Sequence, residues 1–212
     1  MSATRYGRLT GLLGLLVLLA LIVHGLIDSS TNVTGIPAGR ALPPFAVPLA
    51  LGSLPGDADV ATHADDGEDG RVPACAERGP RILNACQLYE QGPVVLALFV
   101  DSGSCASVLL RIQALVPEFP RVRFAAVAIK GRRRPLRGFI REHRLTFPIG
   151  IDEEYGAVAA LYKVFTCPQV NFAYRGGVVQ GGALLGGFSA GRLRARVGEL
   201  VAASRARERR AT

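Results

Sequence analysis

The chain has 212 residues, 49% of them hydrophobic and 20% charged, with a formal net charge of +8. That length and apolar fraction suit one ordinary domain with short extras and exclude wholesale disorder. No segment repeats and no heptad run appears, which sets aside solenoid, collagen-like and coiled-coil architectures. The basic excess is almost all arginine, because only Lys130 and Lys163 are lysines. It lies at Arg5 and Arg8, in a mid-chain cluster (Lys130, Arg132, Arg133, Arg134, Arg137), and from Arg192 to Arg210. No aromatic residues alternate with these charges to stack on bases, so no nucleic-acid partner is expected. The clusters read instead as solvated faces and a frayed basic tail.

Residues 9–27, LTGLLGLLVLLALIVHGLI, form nineteen positions without a formal charge. At 1.5 Å per helical residue this is about the length that crosses a bilayer core of roughly 30 Å. Arg5 and Arg8 precede the run and Asp28 follows it, so the positive-inside rule places the N-terminus in the cytoplasm and the rest outside. A cleaved signal peptide is the competing reading. The run is longer than an ordinary signal core and has no A-x-A site after it, which favours a retained signal-anchor. Both readings export the domain into a compartment that permits disulfides.

After a small, polar tether, residues 41–54 (ALPPFAVPLALGSL) are apolar and punctuated by proline, the texture of an edge strand. Residues 55–70 carry six acids among glycines without calcium-loop spacing, and read as a solvated acidic loop. From Val94 onward strands and helices alternate. VVLALFV (94–100) is a strand buried on both faces; Leu109, Ile112, Val116 and Phe119 recur at helical spacing; and VRFAAVAI (122–129) is a second buried strand. A helix over 135–143, a short strand in FPIGID and a helix capped by Asp152 follow. QVNFAY, the turn Arg175-Gly176-Gly177 and VVQGGALL make a hairpin, and Ser189 caps a last helix with Leu193, Val197, Leu200 and Val201 inward. This order demands right-handed crossovers and a largely parallel sheet ending in an antiparallel hairpin.

The segments PPFAVPL, VVLALFV, RVRFAAVAI, TFPIGIDEEYGAVAALYKV, CPQVNFAYRGG and GGFSAGRLRARV, in that order and spacing, resemble the thioredoxin-like redoxins. Within them the chain is similar to the membrane-anchored thiol-disulfide oxidoreductases and to the alkyl hydroperoxide reductase/thiol-specific antioxidant group, over roughly residues 42–201. The resemblance implies a three-layer α/β fold, a central mixed sheet flanked by helices, with no cofactor. It also implies a Cys-x-x-Cys at the start of the first helix and a cis-proline loop facing it. A helix N-terminus favours the thiolate, the species that attacks a disulfide, and a second cysteine resolves the mixed disulfide. Here that segment, DSGSCASV, holds Cys105 alone. If Cys105 matches the first family cysteine, Val108 replaces the second; if it matches the second, Ser102 replaces the first.

The cis-proline loop of the family corresponds to Thr166-Cys167-Pro168, so a cysteine stands where the family packs a residue against the active-site sulfur. The resemblance therefore implies a non-sequential redox pair, with Cys105 as nucleophile and Cys167 resolving. The backbone at Thr166 and Pro168 would hold an extended substrate strand. The alternative is a degenerate site, with a free or merely structural Cys105 and Cys167 as small filler. The peroxidatic pattern Pro-x-x-x-Thr-x-x-Cys is absent before Cys105, which weighs against a peroxidase. Asp101 stands ready either as a proton-transfer group near Cys105 or as an exposed acid at the helix entry.

Cys75 and Cys86, with ten residues between them, read as a structural bridge that stabilises by roughly 2–3 kcal/mol. A crossed pairing of either with Cys105 stays open. His63 and His143 show no ligand spacing, so no metal is expected. The expected organisation is a cytoplasmic N-terminus (1–8), a transmembrane signal-anchor (9–27), a linker (28–40), the redoxin domain with the Cys75/Cys86 extension (41–203) and a basic tail (204–212). The expected function is thiol-disulfide exchange on exported protein thiols and disulfides at the outer face of the cell membrane, with an unidentified redox partner. The rivals are a catalytically degenerate binding module and a thiol peroxidase.

Overall fold

In the computed structural model the described residues are 35–101, 103–153 and 156–211. The expected cytoplasmic N-terminus, membrane anchor and most of the linker lie outside them. Among the described residues no helix is long and apolar enough to cross a membrane.

A five-stranded sheet forms the centre, in the order β5-β4-β3-β6-β7. Its strands are β3 (Val94–Val100), β4 (Arg123–Lys130), β5 (Ile149–Ile151), β6 (Gln169–Ala173) and β7 (Leu184–Leu185). The pairs β3–β4 and β4–β5 are parallel, whereas β6 is antiparallel to both β3 and β7. Side chains alternate across this sheet as the pleat requires. Val95, Ala97 and Phe99 enter one core with α2 (Gly103–Leu115), α3 (Arg133–Glu142) and α5 (Ala190–Ala211). Val94, Leu96 and Leu98 enter the other. That second layer contains α1 (Ala85–Gln91), α4 (Ala157–Leu161), and a small antiparallel sheet of β1 (Ala46–Pro48) with β2 (Ile82–Asn84). The continuous apolar runs follow directly, since a strand covered on both faces has no polar side.

Several elements differ from the sequence expectation. The proline-punctuated segment is an edge strand, as expected, but of a separate small sheet: β1 pairs with β2 and meets the main sheet through the bridge from Leu49 to Gly150. Gly150 permits this contact, because a Cβ there would collide with Val47 and crowd Leu83. The acidic segment is partly built in: Asp59 exchanges both backbone hydrogen bonds with Ala46, and Asp57 Oδ1 accepts from the Glu153 amide at 2.8 Å. VVQGGALL is not one strand. Val178 and Val179 make isolated bridges, and Gly181 at φ 66° interrupts the chain before β7.

The arginine clusters also do structural work rather than lying solvated throughout. Arg137 Nε donates to the Ala50 carbonyl at 2.8 Å and its guanidinium also reaches Gly52, while Arg133 pairs with Glu153 at 3.3 Å. Together they clamp the turn after β1. Arg196 donates to the Gln180 and Gly182 carbonyls at 3.1 and 3.0 Å and stacks over Phe172. The basic tail is helical, since α5 continues to Ala211, and Arg207 lies over the Tyr174 ring. Ser189 Oγ caps this helix by accepting from the Arg192 amide at 3.1 Å.

Gly156, at φ 63°, occupies the N-cap position of α4, but the capping hydrogen bond comes from Asp152, whose carboxyl accepts from the Val158 amide of the first turn at 2.9 Å inside the domain, at 0% exposure. Burial, reinforced by the Asp57 carboxyl beside it, pushes its pKa from 3.8 up to about 7 against the pull of the Val158 amide. The folded protein thus holds a proton that the unfolded chain releases, so this group's contribution to stability falls as pH rises from about 4 to about 7. Asp152→Asn is expected to gain stability over the parent at pH 8 and lose that advantage towards pH 5 in thermal unfolding. A pH-independent difference would contradict the assignment.

Candidate redox site

The C-terminal end of β3 and the N-terminal end of β6 bring the two candidate cysteines together. In the β3–β6 register Leu98 faces Gln169, so continuing the pairing two residues sets Val100 opposite Cys167. On the other side the chain leaves β3 and enters α2, whose third residue is Cys105. Cys105 and Cys167 form a disulfide with their Cα atoms 5.6 Å apart, inside the normal bridging range. The Cys167–Pro168 peptide is cis.

One backbone donor addresses both sulfurs. The Val100 N–H points at Cys105 Sγ at 3.2 Å and at Cys167 Sγ at 3.1 Å. A register shift between Phe99 and Val100 in the β3–β4 pairing lies at this same point of the strand. The sulfurs therefore lie against a fixed amide dipole at the positive end of a thirteen-residue helix that has no acid in its first turn. Both features favour negative charge on sulfur. Sequence reasoning missed Val100, because the group that matters is its amide and not its side chain. Continuing the strand register is the one signal that points to it.

Cys105 is 8% exposed and packs with Ala106, Val108 and Leu109 in the helical core. Val108, one turn on, is fully buried where a Cys-x-x-Cys beginning at Cys105 would carry its second sulfur. Phe165 and Thr166, just before Cys167, are exposed, with Phe165 at 79%. Pro168 is buried and its carbonyl accepts from the Gly186 amide at 2.8 Å, tying the loop to the end of β7. The Thr166 and Cys167 main chain has no hydrogen-bond partner among the described residues. Asp101 is half-buried; burial raises its pKa, while the amide and charge of Arg132 oppose that rise. Its carboxylate is thus engaged by the loop after β4.

The second pair is elsewhere. Cys75 and Cys86 are bridged, with Cα atoms 5.4 Å apart, and no free cysteine remains. Asn84 organises this corner. It caps α1 by accepting from the Gln87 amide at 3.0 Å, and its Nδ2 donates to the Ala74 and Glu77 carbonyls at 2.7 and 2.9 Å. One side chain therefore holds both the loop of Cys75 and the helix of Cys86. Since α1 leads into the start of β3, this bridge and the Cys105–Cys167 bridge belong to opposite ends of that strand. No group of three or more metal-binding side chains occurs among the described residues.

No family model matches the chain, and no curated protein matches it. Solved structures do. A putative thiol:disulfide interchange protein DsbE from Chlorobium tepidum superposes with a TM-score of 0.56 at 15% identity, over 80% of this chain and 98% of that one. Peroxidoxin BcpB from Mycobacterium tuberculosis gives 0.54 at 17% identity, over 81% and 97%. A putative thioredoxin from Neisseria meningitidis gives 0.50 at 14% identity, over 59% and 85%. With the sheet order and flanking helices described above, these likenesses establish that the chain has the thioredoxin-like fold.

Removing the Cys75–Cys86 bridge is expected to cost roughly 2–3 kcal/mol, the chain-entropy value for so short a loop. A Cys75→Ala/Cys86→Ala variant should show that loss in urea unfolding and still form the Cys105–Cys167 disulfide. Failure to form it would tie the two bridges together.

Proposed function

We propose that this protein carries out thiol-disulfide exchange through Cys105 and Cys167. The observation that carries the reading is the bridge itself, formed across the fold between a helix N-terminus and the cis-proline loop, with the Val100 amide on both sulfurs. A substrate thiolate attacks one sulfur of the bridge, giving a mixed disulfide and releasing the other cysteine as a thiolate. A second substrate thiolate then attacks the substrate's own sulfur, leaving an oxidised substrate and two reduced cysteines. The reverse sequence reduces a substrate disulfide. An extended substrate strand would pair with the main chain of Thr166 and Cys167, which has no partner among the described residues, beside exposed Phe165.

The proposed setting is extracytoplasmic, with the domain held at the cell membrane by residues 9–27. The uncharged run and its flanking arginines support the anchor, and two disulfides in one chain support an oxidising compartment. Substrates would then be exported proteins, and an unidentified redox partner would reset the pair.

The test is dithiol oxidation by the oxidised protein, using a two-cysteine peptide. Cys105→Ser and Cys167→Ser should each lower the rate by at least a hundredfold while leaving peptide binding intact. Unchanged rates in both variants would overturn the reading and favour a thioredoxin-fold binding module.

A further inference from the structure

The two sulfurs of the bridge are not equivalent, and their surroundings assign them different tasks. Cys105 sits within the first turn of α2 at 8% exposure, enclosed by core residues. Both cysteines follow exposed residues, Gly103 and Ser104 before one and Phe165 and Thr166 before the other, and both pack on the same core, but Cys167 is the more exposed of the two, half-buried where Cys105 is buried. Exchange requires the incoming sulfur to reach the sulfur it bonds, and it runs faster when the departing sulfur is a stabilised anion. Access favours attack at Cys167. Anion stabilisation favours departure of Cys105, which remains in the first turn of the helix; the Val100 amide, 3.2 Å from one sulfur and 3.1 Å from the other, serves both alike.

We propose that Cys167 is the sulfur that bonds to substrate, and that Cys105 is the buried partner that departs and returns. This rests on the exchange reading above and reverses the roles expected from the sequence. In the oxidative direction a substrate thiolate forms a bond to Cys167 Sγ as the Cys105–Cys167 bond breaks, and Cys105 takes the electron pair as a thiolate. A second substrate thiolate then attacks the substrate sulfur, forming the substrate disulfide and releasing the Cys167 thiolate. The substrate loses two electrons and the protein gains two. In the reductive direction the Cys167 thiolate opens a substrate disulfide, and the Cys105 thiolate displaces the substrate from Cys167. The Val100 amide, 3.1 Å from Cys167 Sγ, serves whichever sulfur carries the charge.

The arrangement has a consequence for recognition. In this chain the sulfur that carries the mixed disulfide belongs to a residue whose main chain has no hydrogen-bond partner among the described residues. Docking and covalent capture therefore occur at one residue of the β6 entry loop and not on the helix.

The test uses the full chain in detergent micelles. Reduced Cys105→Ser and Cys167→Ser are each mixed with glutathione disulfide, and adducts are located by peptide mass spectrometry. Cys167 in the first variant should acquire glutathione at least tenfold faster than Cys105 in the second. Because either substitution removes a bridge of the fold, the oxidised parent is also treated with reduced glutathione and quenched with acid at early times. There the glutathione should be found on Cys167, with Cys105 free to be alkylated. Glutathione on Cys105, or a smaller rate preference, overturns the assignment of roles and leaves the exchange reading standing. A parent bridge that takes no adduct on either cysteine overturns both.

Discussion

The antiparallel pairing of β3 with β6 governs where the chemistry of this protein can occur. Five residue pairs, from Val94–Ala173 to Leu98–Gln169, fix one strand against the other. Two steps beyond the last pair, the register sets Cys167 across from Val100. The chain then turns from β3 into α2 within a few residues, which brings Cys105 to the same point from the other side. A one-residue slip in this pairing would turn the alternating side chains to the wrong faces and misplace the cysteine loop as well. The core and the site therefore share one constraint. Burial of Val95, Ala97 and Phe99 on one face, and of Val94, Leu96 and Leu98 on the other, holds the register that joins the sulfurs.

The second disulfide and the arginines act at the margins of that core. Asn84 binds the Cys75 loop to the helix of Cys86, and the small β1–β2 sheet closes the face on which Gly150 leaves room. Arg133 and Arg137 hold the turn after β1, while Arg196 gathers the carbonyls around the break before β7. Each guanidinium spans two carbonyls outside the regular strands, a task suited to its five fixed donors. The high arginine content thus has a structural share, although it lies in charged clusters when read along the chain.

The strands and helices of the main sheet were legible because their signals are local: continuous apolar runs for β3 and β4, helical spacing in α2 and α5, and a serine cap at Ser189. The cysteine pairing was legible only through the resemblance to the redoxins, since residues 62 positions apart leave no local trace of contact. Three features were not legible. The Val100 amide carries no side-chain signal. The division of VVQGGALL depends on Gly181 adopting φ 66°, which the alternating apolar pattern conceals. Asp152 looks like a helix cap in sequence, and its burial against Asp57 depends on the acidic segment folding back from about a hundred residues earlier.

The most direct test of the central claim is disulfide mapping by mass spectrometry across a graded series of dithiothreitol concentrations on the folded protein. The account expects Cys105–Cys167 to open first and to re-form on reoxidation, while Cys75–Cys86 persists until much stronger reduction. Two bridges that yield together, and only as the fold is lost, would contradict it and make both disulfides structural.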